Sequence, residues 1–158
     1  MKLKEYRQSL NITIEEAASS SLVPVRTYIR YENDDKYGNA LKRKAIYDTL
    51  QSKYEITETK GLLSIEKIKN ACEFVFSKYE NKIEFCYLFG SYAKGYAKDD
   101  SDIDLFISTS MTGFDFVSLI DELKNILHKK IDLIRLIDAN ENIALLSEVM
   151  KDGIKVYG

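Results

Sequence analysis

The chain has 158 residues, 45% of them hydrophobic and 30% charged, with a net charge of −2. That length holds one ordinary domain or two small ones, and the composition excludes a disordered chain. No apolar run approaches the ~18 residues of a bilayer span, and the charged N-terminus lacks a signal-peptide core, so no membrane and a cytoplasmic location are expected. The two cysteines, Cys72 and Cys86, lack metal or disulfide spacing and read as small buried hydrophobes. A single histidine, His128, argues against zinc or His-based nucleophilic chemistry and is better placed at a helix end. Residues 1–60 carry 11 basic and 9 acidic side chains, and the remainder 12 and 16. The acidic bias of the second part suits a metal site.

Before residues 55–63 the apolar spacing is helical throughout. Leu3 to Leu10 forms a first amphipathic turn set. Thr13 and Glu16 make a capping box for a second helix. Pro24 suits the start of a third, which runs to about Asn33. A fourth spans Asn39 to Lys53 with Leu41, Ala45, Ile46 and Leu50 inward. Beyond the seam, Ser64 caps a helix whose stripe is Ile65, Ile68, Cys72, Val75, Phe76 and Tyr79. Strands are expected at Ile83–Phe89, Asp102–Ile107 and Lys130–Leu136. Helices are expected at Asp115–Leu127 and Asn140–Lys151, the latter closed by Gly153, before a last strand at Ile154–Tyr157. The fold class is α+β, a small mixed sheet with flanking helices (64–158), preceded by an all-α domain (1–56).

The chemistry concentrates in Phe89 to Ile107. Gly90 and Ser91 follow a strand directly, where a glycine lets the backbone turn and approach a ligand, and free N–H groups with a serine hydroxyl suit a triphosphate. Ten residues after Ser91 comes Asp102-Ile103-Asp104. In a strand these two carboxylates share a face and lie about 7 Å apart, a repulsion that a divalent cation relieves. Asp132, in the next strand among aliphatic residues, is costly to bury alone and completes a three-carboxylate set. Such a set can hold two metal ions for phosphoryl transfer. A lone Gly-Ser or Asp-x-Asp is weak; the ordered combination is restrictive. Lys94, in the same turn, is a candidate phosphate contact or else a surface lysine. Ser101 either orients the Asp pair or starts the strand.

These residues resemble the Gly-Ser-x10-Asp-x-Asp signature of the DNA polymerase β-like nucleotidyltransferases, and in particular the minimal nucleotidyltransferase (MNT) antitoxins that partner HEPN toxins. The resemblance covers roughly Ser64 to Gly158. It implies nucleotide binding by Gly90, Ser91 and Lys94, Mg²⁺ at Asp102, Asp104 and Asp132, ATP as substrate, and those three aspartates as the catalytic set. It also implies AMP transfer to a tyrosine of a HEPN ribonuclease toxin. The small second domain leaves no room for an acceptor-binding domain of its own, which agrees with a protein acceptor.

Ile12 to Asn33 resembles a Cro/Xre-type helix-turn-helix, with Leu22 standing where that family commonly has glycine. The resemblance implies base contacts from Arg26 and Thr27, a phosphate or base contact from Arg30, operator DNA as a partner, and a homodimer on paired half-sites. The alternative is a helical docking module. The alternatives to the antitoxin reading are a small-molecule, aminoglycoside-type nucleotidyltransferase and a non-catalytic DNA-binding antitoxin.

Overall fold

A computed structural model describes residues 1–158. The chain divides into two compact units, Met1–Glu55 and Ile56–Gly158.

The first unit is four helices: α1 (Leu3–Ser9), α2 (Ile14–Ser20), α3 (Val25–Asn33) and α4 (Ala40–Tyr54). The α2 cap is the expected one, with Glu16 N–H donating to Thr13 Oγ1 (3.1 Å) and Thr13 N–H to the Glu16 carboxylate (2.8 Å). Pro24 sits one position earlier than expected, as the N-cap of α3. Leu3, Ala17, Ala18, Tyr28, Tyr31, Ile46 and Leu50 form the core. Buried among them, Arg7 Nε donates to Glu32 (2.6 Å) and Arg7 Nη1 to the Ile12 carbonyl (2.8 Å), tying the end of α1 to α3. Two inward assignments on α4 fail: Leu41 is 80% exposed and Ala45 is also exposed. Arg43 reaches across to the carbonyls of Tyr31, Asp34 and Tyr37, so a polar clamp does part of the work expected of Leu41.

The second unit is a four-stranded sheet of order β3-β2-β1-β4. Strand β1 (Ile83–Phe89) pairs antiparallel with β2 (Ile103–Thr109) and with β4 (Ile154–Tyr157). Strand β3 (Ile131–Arg135) joins β2 in parallel, after the crossover through α7 (Gly113–Leu127). One face packs against α7 and α5 (Ile65–Phe76) around Ile68, Val75, Phe76, Leu88, Ile103, Leu105 and Leu119. The other packs against α8 (Leu136–Ala139) and α9 (Ile143–Asp152) around Phe89, Phe106, Ala139 and Val149. Covered on both faces, β2 reads as a nearly continuous apolar run. This mixed α+β sandwich is the expected fold class.

Short helices account for most boundary errors. The stretch after β1 coils at once into α6 (Gly90–Lys94), and the end of the expected third strand is α8. Ile65 and Ile126, expected inward, are 37% and 38% exposed. His128 ends α7 in a left-handed conformation (φ 54°), its N–H donating to the Lys124 carbonyl at 2.8 Å. Gly153 closes α9 in an extended rather than left-handed conformation (φ −64°). Its missing side chain is required by the approach of the Val149 carbonyl, which a Cβ would overlap.

Candidate functional site at the end of the sheet

The site begins with the turn from β1 into α6. Gly90 adopts φ +69°, a region that costs an L-residue roughly 1 kcal/mol or more. A Cβ here would collide with the Asp104 carboxylate. The glycine therefore does two things: it bends the strand into the helix, and it lets an acidic side chain lie directly against the backbone. Ser91 takes the second position of α6 and its carbonyl accepts the N–H of Gly95 and of Tyr96 (3.1 Å). Tyr92 anchors the turn in the core with 5% exposure.

Strand β2 brings the carboxylates to that turn. Ile103 and Leu105 are fully buried on the α5/α7 face, so Asp104 projects with Phe106 toward the opposite face. Asp104 lies opposite Phe89 in one neighbour and opposite Asp132 in the other. Asp102 stands one residue before β2 and pairs with Lys130 Nζ at 3.3 Å. Burial, then Asp132, Asp102 and Glu148 in that order, push the Asp104 carboxyl up to about 6, against a weaker opposite pull from Lys130.

Asp132 is exposed. The desolvation cost that singled it out does not operate, because the side chain, second in the edge strand β3, is itself exposed. What brings it to the site is register: in the parallel pairing Asp132 is the partner of Asp104. Ser101 orients no carboxylate; its hydroxyl accepts the Lys98 N–H (2.8 Å) and closes the turn before Asp102. Lys94 is held by Glu148 (2.6 Å), which reaches it from α9.

Three residues absent from the sequence-based site thus belong to its surroundings. Lys130 neutralises Asp102, and Glu148 both engages Lys94 and faces Asp104. Lys129, fully buried, donates from Nζ to the carbonyls of Glu58, Lys60 and Asp99, and so pins the turn that precedes Asp102. The lysine pair at the start of β3 was the available signal, since a lysine beside a strand-borne Asp can pair with a neighbouring carboxylate. Glu148 gave no signal, because only the packing of α9 brings it near.

The donor set suits a hard divalent cation. The Asp104 carboxyl, pressed against a backbone turn and pushed up by burial and by the neighbouring carboxylates, is relieved of that repulsion when a cation lies among them. The carboxylates face one another without closing a cage: no three Asp, Glu, His or Cys side chains are gathered tightly enough to enclose an ion by themselves. A cation shared with a nucleotide takes the rest of its coordination from phosphate oxygens and water. In the helical unit, Arg26 and Arg30 of α3 are exposed, while Thr27 is half-buried and lines a cleft with Tyr31 and Ile46. The Arg30 guanidinium lies 5.8 Å from the Tyr37 ring centre.

The chain is similar to several known proteins. "Putative protein adenylyltransferase MJ1215" of Methanocaldococcus jannaschii is 42% identical over 59 residues, covering 36% of this chain and 69% of that protein. Among solved structures, a toxin–antitoxin crystallised with AMP-PNP aligns at TM-score 0.49 and 27% identity over 57% of this chain and 73% of its own. A tri-AMPylated Shewanella oneidensis HEPN toxin in complex with MNT antitoxin aligns at TM-score 0.45 and 24% identity, over 59% and 71%. The pattern of the polymerase beta nucleotidyltransferase family matches residues 66–158, the stretch that carries the turn, all three aspartates and the whole sheet. The chain belongs to the polymerase beta nucleotidyltransferase family and is a nucleotidyltransferase.

Proposed function

We propose that the second unit transfers AMP from ATP to a hydroxyl of a partner protein, and that the partner is a HEPN-type ribonuclease toxin silenced by the modification. The observation that carries the nucleotidyl chemistry is the apposition of the Gly90 turn and the Asp104 carboxylate. It sets a turn whose backbone suits phosphate directly against a carboxylate that suits a cation, which supports this reading. Asp102 and Asp104 would hold Mg²⁺, with Asp132 completing the set on the acceptor side. When bound, Mg²⁺ offsets charge on the phosphates and polarises the acceptor. Gly90 and Ser91 position the triphosphate through backbone N–H groups and the serine hydroxyl, and Lys94 is the nearby cation for a phosphate oxygen.

A protein acceptor is favoured by the likeness to a relative described as a putative protein adenylyltransferase. The test is an incubation of the chain with ATP, Mg²⁺ and the product of the neighbouring gene. A mass increase of one or more AMP groups on that product, lost with Asp102→Ala plus Asp104→Ala, is expected. Transfer to aminoglycosides with none to protein would replace this reading with the small-molecule one.

We further propose that the helical unit binds operator DNA through Arg26, Thr27 and Arg30 of α3 and represses its own operon, as a homodimer on paired half-sites. The exposure of both arginines on one helix supports this. A gel shift of the promoter fragment at low salt, weakened by Arg26→Ala, is the expected result. The absence of any shift there rejects the proposal, because even non-specific binding is strong at low salt.

A further inference from the structure

Among the eleven tyrosines of the chain, Tyr96 alone is exposed, at 62%. The other ten are buried or half-buried, and several of their hydroxyls are occupied. Tyr47 donates to the Met1 carbonyl, Tyr54 pairs with Ser20, and Tyr79 donates to Glu122. Tyr96 is also placed unlike the rest. It follows Gly95, the left-handed cap of α6, and its N–H bonds to the carbonyl of Ser91 in the candidate triphosphate turn (3.1 Å). It stands two residues from Lys94. The most exposed tyrosine of the molecule is therefore hydrogen-bonded through its backbone to the turn at which nucleotide is expected.

We infer that Tyr96 is a self-modification site, a phenolic acceptor for the nucleoside monophosphate that this enzyme transfers. A phenol is the most acidic of the side-chain hydroxyls, with an ordinary pKa near 10, and is the readiest of them to attack phosphorus near neutral pH. In the step, the Tyr96 oxygen bonds to the α-phosphorus of ATP as the bond from that phosphorus to the bridging oxygen of the β-phosphate breaks. Pyrophosphate leaves with that oxygen, the phenolic proton passes to water, and Tyr96 carries AMP as a phosphodiester. No oxidant, reductant or further reactant is needed. The added phosphodiester brings a negative charge next to the Lys94–Glu148 pair, at the entrance to the turn.

The inference rests on the nucleotidyltransferase reading of this site and not on the identity of any partner. The experiment is incubation of the purified full chain with ATP and Mg²⁺, alone and with the neighbouring-gene product, followed by intact-mass and fragment mass spectrometry of both proteins. The expected result is a gain of one AMP on this chain, mapped to Tyr96. It should be absent in Tyr96→Phe and in Asp104→Asn, and retained in Tyr87→Phe. Modification of the partner with none on Tyr96 overturns the inference and leaves the partner reading standing. Modification of Tyr96 with none on the partner does the reverse. An unmodified chain in both incubations, a modification mapped elsewhere, or an undiminished mass gain in Tyr96→Phe also overturns it.

Discussion

The backbone of Gly90 lies against the carboxylate of Asp104 so closely that a single methyl group at position 90 would overlap it. The atom struck is the free end of a side chain, so Gly90→Ala can fold by pushing the carboxylate aside. The left-handed conformation adds strain of about 1–2 kcal/mol. The expected outcome is a modest fall in melting temperature with a loss of transfer activity on the order of a hundredfold, because the displaced carboxylate no longer meets the phosphates in a productive geometry. Steady-state kinetics beside thermal melts separate the two. An alanine variant of near-normal activity would show that the apposition is structural only.

Asp104 makes stability depend on pH in a direction opposite to most aspartates. Its carboxyl stands at about 6, above the ordinary 3.8, chiefly through burial and then the charge of Asp132. Between these values the folded chain keeps a proton that the unfolded chain releases. The native state is therefore favoured most below the lower value and loses stability as pH rises through the upper one. In chelator, Asp104→Asn should melt higher than the parent at about pH 8, by the equivalent of about 1 kcal/mol once solvent screening of a half-exposed group is allowed for, and should lose that advantage at about pH 4. Adding Mg²⁺ should raise the melting temperature of the parent and leave that of the variant unmoved. A pH-independent difference between the two would remove the repulsion account.

The legible parts of the sequence are those governed by local rules. The Thr13–Glu16 box, the Ser64 cap and the in-out alternation of Ile103, Asp104 and Leu105 are each set by a few neighbours, and each is found. Gly90 and Asp104 meet because β1 and β2 pair antiparallel and return the chain to its own turn. What stayed hidden depends on distant partners. Asp132 is exposed despite its aliphatic neighbours, and strand register sets it beside Asp104. Lys129 reads as a surface residue, yet it is buried because three carbonyls from two other segments accept its protons. Glu148 enters through helix packing, and Leu41 was misassigned because Arg43 supplies a polar link that apolar periodicity does not reveal.

Glu148 and Lys94 form an ion pair of 2.6 Å with both side chains about a third exposed. If Lys94 contacts a phosphate oxygen, it must first leave Glu148. Glu148→Gln frees the lysine and removes one of the charges that raise Asp104. The expected result is a fall in the KM for ATP of up to about fivefold, the range set by an ion pair worth 0–1 kcal/mol. Lys94→Ala should move the KM the other way. An unchanged KM in both variants would return Lys94 to the surface.

Lys129 anchors the Asp99–Ser101 turn from beneath, and burial pulls its ammonium pKa down while Asp99 and Asp100 oppose that pull. Lys129→Met keeps the aliphatic stem and deletes the donor, leaving the carbonyls of Glu58, Lys60 and Asp99 without it. A destabilisation of about 1–3 kcal/mol is expected from the loss of a charged donor shared by three partly buried carbonyls. Because the turn leads directly into Asp102, activity should fall even at temperatures where the variant is fully folded. Denaturant melts and activity assays at low temperature test the two parts.

Leu22 stands in the turn between α2 and α3 at φ +53°, in the left-handed region, with 93% of its surface exposed. Its side chain is largely in solvent, so the residue bears the backbone strain while adding little apolar burial. Leu22→Gly relieves a conformation that costs a leucine about 1 kcal/mol or more, offset in part by the greater freedom of glycine in the unfolded chain. The helical unit of the variant should be stabilised by a few tenths to about 1 kcal/mol, read as a rise in its denaturant midpoint at constant slope. A destabilised variant would mean that the exposed leucine packs against something, and the natural candidate is the second copy expected in a DNA-bound homodimer. Sedimentation of parent and variant over a range of concentrations then decides: dimer dissociation in Leu22→Gly assigns the side chain to that interface, and identical monomers in both reject it.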